Sequence, residues 1–321
     1  MKAIFRAVYG SPDILELKEV DRPVPNENGL LLKVHAAAVN PMDWHILRGE
    51  PFLIRFMGFG LLKPRHHILG TDMAGQIEAV GKNVNRFKVG DEVFGSGIGG
   101  FAEYACIRED QAALKPVNLT YEQAAAVPVA GLTALQALRD HGRLQEGQHI
   151  LINGASGGVG TFAVQIAKTL GAQVTGVCSG RNAEMVWSIG ADNIIDYTKE
   201  DFCLNVKRYD LILDNVGSQP IGRTLQVLKA NGIYVRVGGS SSTAGVLYSM
   251  ISNPLIAKMK GRKAVSFIAN VNKVDLAYIK ELLEGGKIIP VIDKEYSLDE
   301  APESIRYVEG GHARGKVIIT I

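Results

Sequence analysis

The sequence predicts an α/β chain in which a doubly wound parallel sheet is inserted into a small, irregular β-barrel. Residues 1–122 read as short strands broken by glycine and proline, which suits a barrel. From 123 to 269, buried strands alternate with amphipathic helices, which implies a parallel sheet. Residues 270–321 are too few for a domain and are expected to pack back on the first part and complete it. Two domains also suit a length of 321 residues.

In the first part Leu30–Val39 is β-prone, and Glu92–Gly95 and Ala102–Ile107 are short strands. Turn chemistry interrupts them at Pro23-Val24-Pro25, Asn40-Pro41, Gly90-Asp91 and Gly95-Ser96-Gly97. The middle part opens with the strand His149–Asn153 and the helix Thr161–Leu170, where Ala163, Ile166, Ala167 and Leu170 share a face with Val159. Strands follow at Gln173–Val177, Asn193–Tyr197, Asp210–Asn215 and Ile233–Val237. Helices are expected at Ala183–Ile189 and at Ile221–Leu228, the second closed by Asn231-Gly232. The pattern ends with a strand at Ala264–Ala269, helices at Lys273–Glu284 and Leu298–Glu309, each stopped by a glycine pair, and a closing strand at Lys316–Ile321.

Composition narrows the function classes. With 46% apolar and 21% charged residues the chain is neither disordered nor collagen-like. A net charge of +2 without a Lys/Arg block leaves no footprint for nucleic acid and no polybasic membrane patch. Small-molecule chemistry is the default. Cys106, Cys178 and Cys203 lie far apart, which excludes a disulfide scaffold and suits a reducing compartment. Met1 leads straight into the strand-like Lys2–Tyr9 without a signal pattern. The longest uncharged stretch, Val237 to Ala257, is broken by Gly238-Gly239, a Ser/Thr run and Asn253-Pro254, so it lacks the ~20 continuous apolar residues of a membrane span. A soluble cytoplasmic protein with no membrane partner is expected.

The strand His149–Asn153 runs into Gly154-Ala155-Ser156-Gly157-Gly158-Val159-Gly160 and then a helix. Glycines at such a junction allow a tight turn, close approach of backbone to a pyrophosphate, and helix-on-strand packing. The helix start adds free N–H groups and a positive dipole end. Ala155 holds the first glycine position of G-x-G-x-x-G, a mild departure. The context predicts dinucleotide binding. At the end of the second strand, where an NAD site places Asp or Glu, stands Cys178, followed by Ser179 and Arg181. A hydroxyl and a guanidinium suit a 2′-phosphate, and a cation at a helix start is unfavourable without an anion, so NADPH is preferred over NADH.

These segments carry a resemblance. Gly147–Gly160, Gln165-Ile166-Ala167-Lys168 and Gly171-Ala172 resemble the cofactor segment of the medium-chain dehydrogenase/reductase superfamily. Val39–Asp43, Leu69–Gly75, Val89–Val93, Gly131–Ala134, Gly190–Asp192, Asp196-Tyr197 and Gly311–Lys316 are similar to its zinc-free quinone oxidoreductase branch, the ζ-crystallin-like proteins. The resemblance implies a GroES-like barrel around a Rossmann domain, an active site in the cleft between them, and a homodimer formed through the sheet edge near Ala264–Ala269. Zinc alcohol dehydrogenases carry Cys where Asn40 stands and His-Glu where Thr71-Asp72 stands, so no metal is expected. His66-His67 reads as a surface pair, because neighbours in an extended segment face opposite ways.

The resemblance also implies roles. Ser156, Gly158 and Val159 hold the pyrophosphate within the loop shaped by Ala155, Gly157 and Gly160. Ser179 and Arg181 hold the 2′-phosphate, Tyr197 flanks the adenine-side ribose, and Asn215 ends a buried strand where ligands bind. Thr133, Phe267 and Ala269 are expected near the nicotinamide, and His312-Ala313-Arg314 over the cofactor. Tyr197 and Phe267 also suit plain core positions. On the substrate side, Asn40 is a hydrogen-bond donor for a developing oxyanion with Asp43 beside it; a turn at Asn40-Pro41 and a helix cap at Asp43 are the alternatives. The apolar stretch Phe52–Phe59 reads as a lid or pocket wall, or as core or dimer packing. The expected function is NADPH-dependent, zinc-independent hydride transfer to quinones or related conjugated carbonyls. The alternatives are an enone or 2-alkenal reductase and a non-catalytic NADPH-binding redox sensor.

Overall fold

The computed structural model describes residues 1–238 and 243–321. The chain divides into two compact units: Met1–Leu132 with Val271–Gly286 and Pro290–Ile321, and Thr133–Asn270 with Lys287–Ile289.

The first unit is organised by the eleven-residue strand Gly29–Val39. Its alternating Leu30, Leu32 and Val34 are buried, and its Ala36–Ala38 run is small enough for close packing. One edge takes Asp72–Val80 antiparallel. The other takes Tyr104–Arg108 along its first half and Lys316–Thr320 along its second. Ile292–Ser297, a strand absent from the sequence reading, pairs parallel with Lys316–Thr320. Glu92–Ser96 and Ala112–Leu114 complete a seven-stranded sheet. A helix at Pro41–Arg48 matches the alternative of a helix cap at Asp43, and a further short helix lies at Tyr121–Ala125.

The second unit contains a six-stranded parallel sheet in the order Asn193–Asp196, Gln173–Cys178, His149–Asn153, Tyr209–Asp214, Leu228–Arg236, Lys263–Ser266. Strand order reverses between His149–Asn153 and Tyr209–Asp214, and ligands bind at such a switch point. The register brings the C-terminal ends level: Cys178 faces Asp196, Asn153 faces Asp214, and Arg236 faces Ser266. Leu151, Ile212, Leu225 and Tyr234 are buried in one core, each apolar side chain contributing roughly 1.5–3 kcal/mol.

Several boundaries differ from expectation, among them the helix start at Gly158 instead of Thr161 and the strand start at Leu228 instead of Ile233. The helix at Ile221 stops at Thr224, because Leu228 joins the sheet opposite Tyr209 and pulls the chain out of helix; Asn231, at φ +63°, turns within the strand Leu228–Arg236. The edge strand ends at Ser266, short of Ala269. Leu298–Glu300 forms a tight turn before the helix Ala301–Glu309. The helix Thr243–Met259 was not expected, and the Gly239 and Ser240–Ser242 interruption lies outside the described residues. Among the described residues no helix is long and apolar enough to cross a membrane.

Candidate active site

The glycine loop follows from its backbone. Gly154 sits at φ +78°, a conformation side-chain-bearing residues avoid. A Cβ on Gly160 would lie 2.0 Å from the Gly154 carbonyl oxygen, so the third glycine is obligatory. The departure at Ala155 is accommodated by Gly176 on the adjacent strand, whose missing side chain leaves room for the buried methyl. The helix Gly158–Thr169 begins at Gly157 with no side chain capping its amides. Those N–H groups and the helix dipole favour an anion.

Around the loop the level strand ends gather polar groups. Asn182 Nδ2 donates to Ser156 Oγ at 3.0 Å, while the buried Asn182 Oδ1 has no partner. Asn215 Nδ2 donates to the Asn153 carbonyl at 3.1 Å, and its buried Oδ1 is likewise unpaired. Ser179 is buried, Arg181 exposed, and Tyr197 exposed rather than in the core. Thr133 is buried, and half-buried Phe267 packs its ring against His141 at 4.2 Å.

Two features escaped the sequence reading. Asp214 is fully buried and accepts from Asn153 Nδ2 (2.8 Å), Tyr234 Oη (2.7 Å), and the amides of Val216 (3.1 Å) and Gly217 (2.8 Å). This carboxylate fixes the turn that carries Asn215. Burial and Asp214 raise the Tyr234 phenol, which stays a donor. The second is a correction: the absence of a carboxylate at Cys178 does not leave the Ser179 turn without one. Asp196, facing Cys178 in register, lies close enough that a Cβ on Gly180 would meet its Oδ2 at 2.5 Å. Hydrogen bonds from Thr198 hold its carboxyl below the usual range, so it is an anion, with Lys199 3.7 Å away. A scan along one strand misses it because the charge arrives from the neighbouring strand.

In the other unit, Asn40 begins the helix Pro41–Arg48 and is buried. Its amide N–H donates to Asp43 Oδ2 at 2.7 Å, so Asp43 caps the helix start. Asn40 Nδ2 donates to Thr71 Oγ1 (3.1 Å) and Asp72 Oδ2 (3.0 Å), and Oδ1 accepts from Lys316 Nζ at 2.5 Å. The side chain is spent on internal partners, leaving no free donor. Lys316, buried on the last strand, lies 3.7 Å from Asp72 Oδ2, which also accepts from the Val129 amide. Desolvation pushes Asp43 up to about 7 and raises Asp72, with Lys316 opposing; burial lowers Lys316. Lys316 was quoted in the tail motif, but no local signal marks a lysine for burial.

His312 and Arg314 are exposed; the Arg314 amide donates to Asp293, and Ala313 packs on the unit's core. His67 stacks on Phe5 and pairs with the Arg6 carbonyl, while His66 meets the edge of Phe59.

A parallel sheet bearing a glycine loop at its switch point in one unit, and a sheet that takes in the C-terminal strand in the other, are the plan of a nucleotide-dependent oxidoreductase. Residues 26–117 match the alcohol dehydrogenase GroES-like domain and residues 189–319 the zinc-binding dehydrogenase family. The chain is 34% identical to Quinone-oxidoreductase QR1, chloroplastic, of Triphysaria versicolor, over 99% of this chain and 98% of that protein. It is 34% identical to 2-methylene-furan-3-one reductase of Solanum lycopersicum, over 99% of this chain and 79% of that one. The Escherichia coli quinone oxidoreductase complexed with NADPH superimposes with a TM-score of 0.85 at 26% identity, covering 100% of both chains. The chain belongs to the zinc-free quinone oxidoreductase branch of the medium-chain dehydrogenase/reductase superfamily.

Proposed function

We propose that this protein is an NADPH-dependent reductase of quinones or related conjugated carbonyls, enones included. The observation that carries the reading is the C-terminal edge of the parallel sheet, where the buried oxygens of Asn182 and Asn215 have no donor among the described residues. Sugar hydroxyls supply such donors, so the site fits a dinucleotide. When bound, NADPH supplies the hydride that reduces the acceptor's conjugated system.

The chain's own groups bind and orient. Amides over Ala155–Gly160 hold the pyrophosphate, with Ser156, Gly157, Gly158 and Val159 lining it. Ser179 and Arg181 hold the 2′-phosphate, because exposed Arg181 has no hydrogen bond or ion pair among the described residues while Asp196 is engaged by Thr198 and Lys199. Tyr197 flanks the adenine-side ribose. Thr133, Phe267 and Ala269 border the nicotinamide end, and the role the resemblance implies for His312, Ala313 and Arg314 belongs to the same proposal. Asn40 and Asp43 act as framework beside the substrate region. Lys316 supplies a cation there, and turnover needs no metal. The protein is a homodimer built on the edge strand Lys263–Ser266, in a cytoplasmic, reducing setting.

The test is NADPH consumption against quinones, 2-alkenals and simple ketones, repeated with NADH. Turnover on the first two classes with NADPH preferred supports the reading. NADPH binding without turnover on any acceptor moves it to a redox sensor.

A further inference from the structure

We propose that the loop from Phe52 to Arg65 is a docking surface for an anionic lipid bilayer. Between 52 and 62, five large apolar side chains are exposed: Phe52, Phe56, Met57, Leu61 and Leu62, with Phe56 at 64% and Leu62 at 87%. No other short segment of the described residues exposes so many. Scattered exposed apolar residues need no explanation, but a contiguous set of this kind marks an interaction site.

The loop is built to present them. A turn over Arg55–Phe59, with non-helical backbone at Met57 and at Gly58 (φ +99°), leads to Gly60 at φ +104°, where a Cβ would lie 2.1 Å from the Lys63 carbonyl oxygen. The Arg65 amide donates to the Phe59 carbonyl at 2.8 Å, closing the tip around Leu61-Leu62-Lys63. Tyr9 Oη anchors the base by donating to the carbonyls of Phe59 (2.8 Å) and Gly60 (2.5 Å). The exposed apolar groups thus stand on a braced loop, and a Cβ on Gly58 would meet nothing within 4 Å.

Charge selects the occupant. From Pro51 through Thr71 the chain has no Asp or Glu, only Arg55, Lys63, Arg65 and two histidines. Arg55 is turned inward, donating to the Gly49 carbonyl and lying over Tyr9 and Phe52. Lys63 and Arg65 are exposed and carry no ion pair among the described residues. An exposed apolar segment that inserts at the acyl boundary, with exposed cations in the same loop to meet the headgroups, matches an anionic interface. A protein partner would need a matching pocket with an acidic rim. Lys63 and Arg65 are too few to read as a polybasic block, so only their exposure in the same loop as the exposed apolar side chains reveals the surface. An apolar acceptor dissolved in such a bilayer would be reached without crossing water; this consequence, unlike the docking, rests on the proposed acceptor class.

The test is co-sedimentation of the full chain with vesicles of phosphatidylcholine alone and of phosphatidylcholine mixed with phosphatidylglycerol, with light scattering of the free protein. Binding to the mixed vesicles only, weakened by salt, is expected. Phe56→Glu/Leu62→Glu and Lys63→Glu/Arg65→Glu should each lower it by roughly tenfold or more, with thermal melting unchanged because the positions are exposed. Failure of the wild type to bind mixed vesicles overturns the proposal. So does binding unaffected by both variants, or a dimer that Phe56→Glu/Leu62→Glu splits into monomers, which assigns the patch to a second copy. None of these readouts involves turnover, so they stand apart from the test of the proposed reaction.

Discussion

The two polar clusters of this molecule are built on opposite plans. Around Asn40, most of the buried groups answer one another: Lys316 meets Asn40 and Asp72, Asn40 meets Thr71 and Asp72, and Asp43 caps the helix through Oδ2, leaving its Oδ1 as the one unpaired atom of these side chains. At the glycine loop, buried acceptors on Asn182 and Asn215 are left over and the helix amides are uncapped. A closed network supports a fold, whereas surplus hydrogen-bonding capacity at a strand end supports a ligand. The difference teaches where to look for binding. The cluster with the more unusual charges is the one with less capacity to spare, a single Asp43 oxygen against two amide oxygens and an uncapped helix start.

The sharpest way to break this comparison is Lys316→Met. It leaves Asp72 buried beside Asn40 without its cation, and stability in a denaturant titration should fall by roughly 3–5 kcal/mol. Adding Asp72→Asn should restore much of that, and a neutral single variant would refute the closed network.

Asp43 gives a pH test of the same cluster. Its folded value of about 7 lies above the ordinary carboxylate range, chiefly through desolvation, with Asp72 adding to the effect and Lys316 opposing it. The folded state therefore holds the proton more tightly than the unfolded state. The resulting stability is complete below about pH 4 and is lost as pH rises through about 7. Relative to Asp43→Asn, which keeps an acceptor for the Asn40 amide, the wild type should lose a few kcal/mol across that window. Parallel stability–pH curves for the two proteins would rule this out.

At the open cluster, Gly160→Ala forces the loop apart and should weaken NADPH binding more than tenfold, with about 1–3 kcal/mol of stability lost. Arg181→Ala should weaken NADPH by roughly tenfold and leave NADH nearly unchanged, read by fluorescence titration. Equal losses would shift the 2′-phosphate away from Arg181. The smallest expected effect is that of a chelator, which should leave NADPH turnover intact. Activity lost to chelation and restored by Zn²⁺ would overturn the metal-free reading.

The legible parts share a physical cause. The glycine loop was readable because steric demands at Gly154 and Gly160 are local and allow few residues. The parallel strands were readable because a sheet covered on both faces makes continuous apolar runs. Elsewhere local preference yielded to pairing: the helix expected to reach Leu228 ended at Thr224 once that leucine joined the sheet. Asn40-Pro41 was readable as both a turn and a site, and the structure shows a helix start whose amide side chain is fully engaged.

By itself the sequence determined the alternation of strands and helices, the glycine-loop junction, and the Ser179 and Arg181 pair at the second strand's end. Each is a property of neighbouring residues, governed by backbone sterics and periodic burial. Only the tertiary structure decided that Asp196 stands beside Gly180, that Asp214 organises the Asn215 turn, and that Leu62 is exposed rather than packed. It alone placed Lys316 against Asn40, 276 positions away. A hydrogen bond depends on distance in space, and the energy of a buried charge depends on partners that only strand pairing brings within reach.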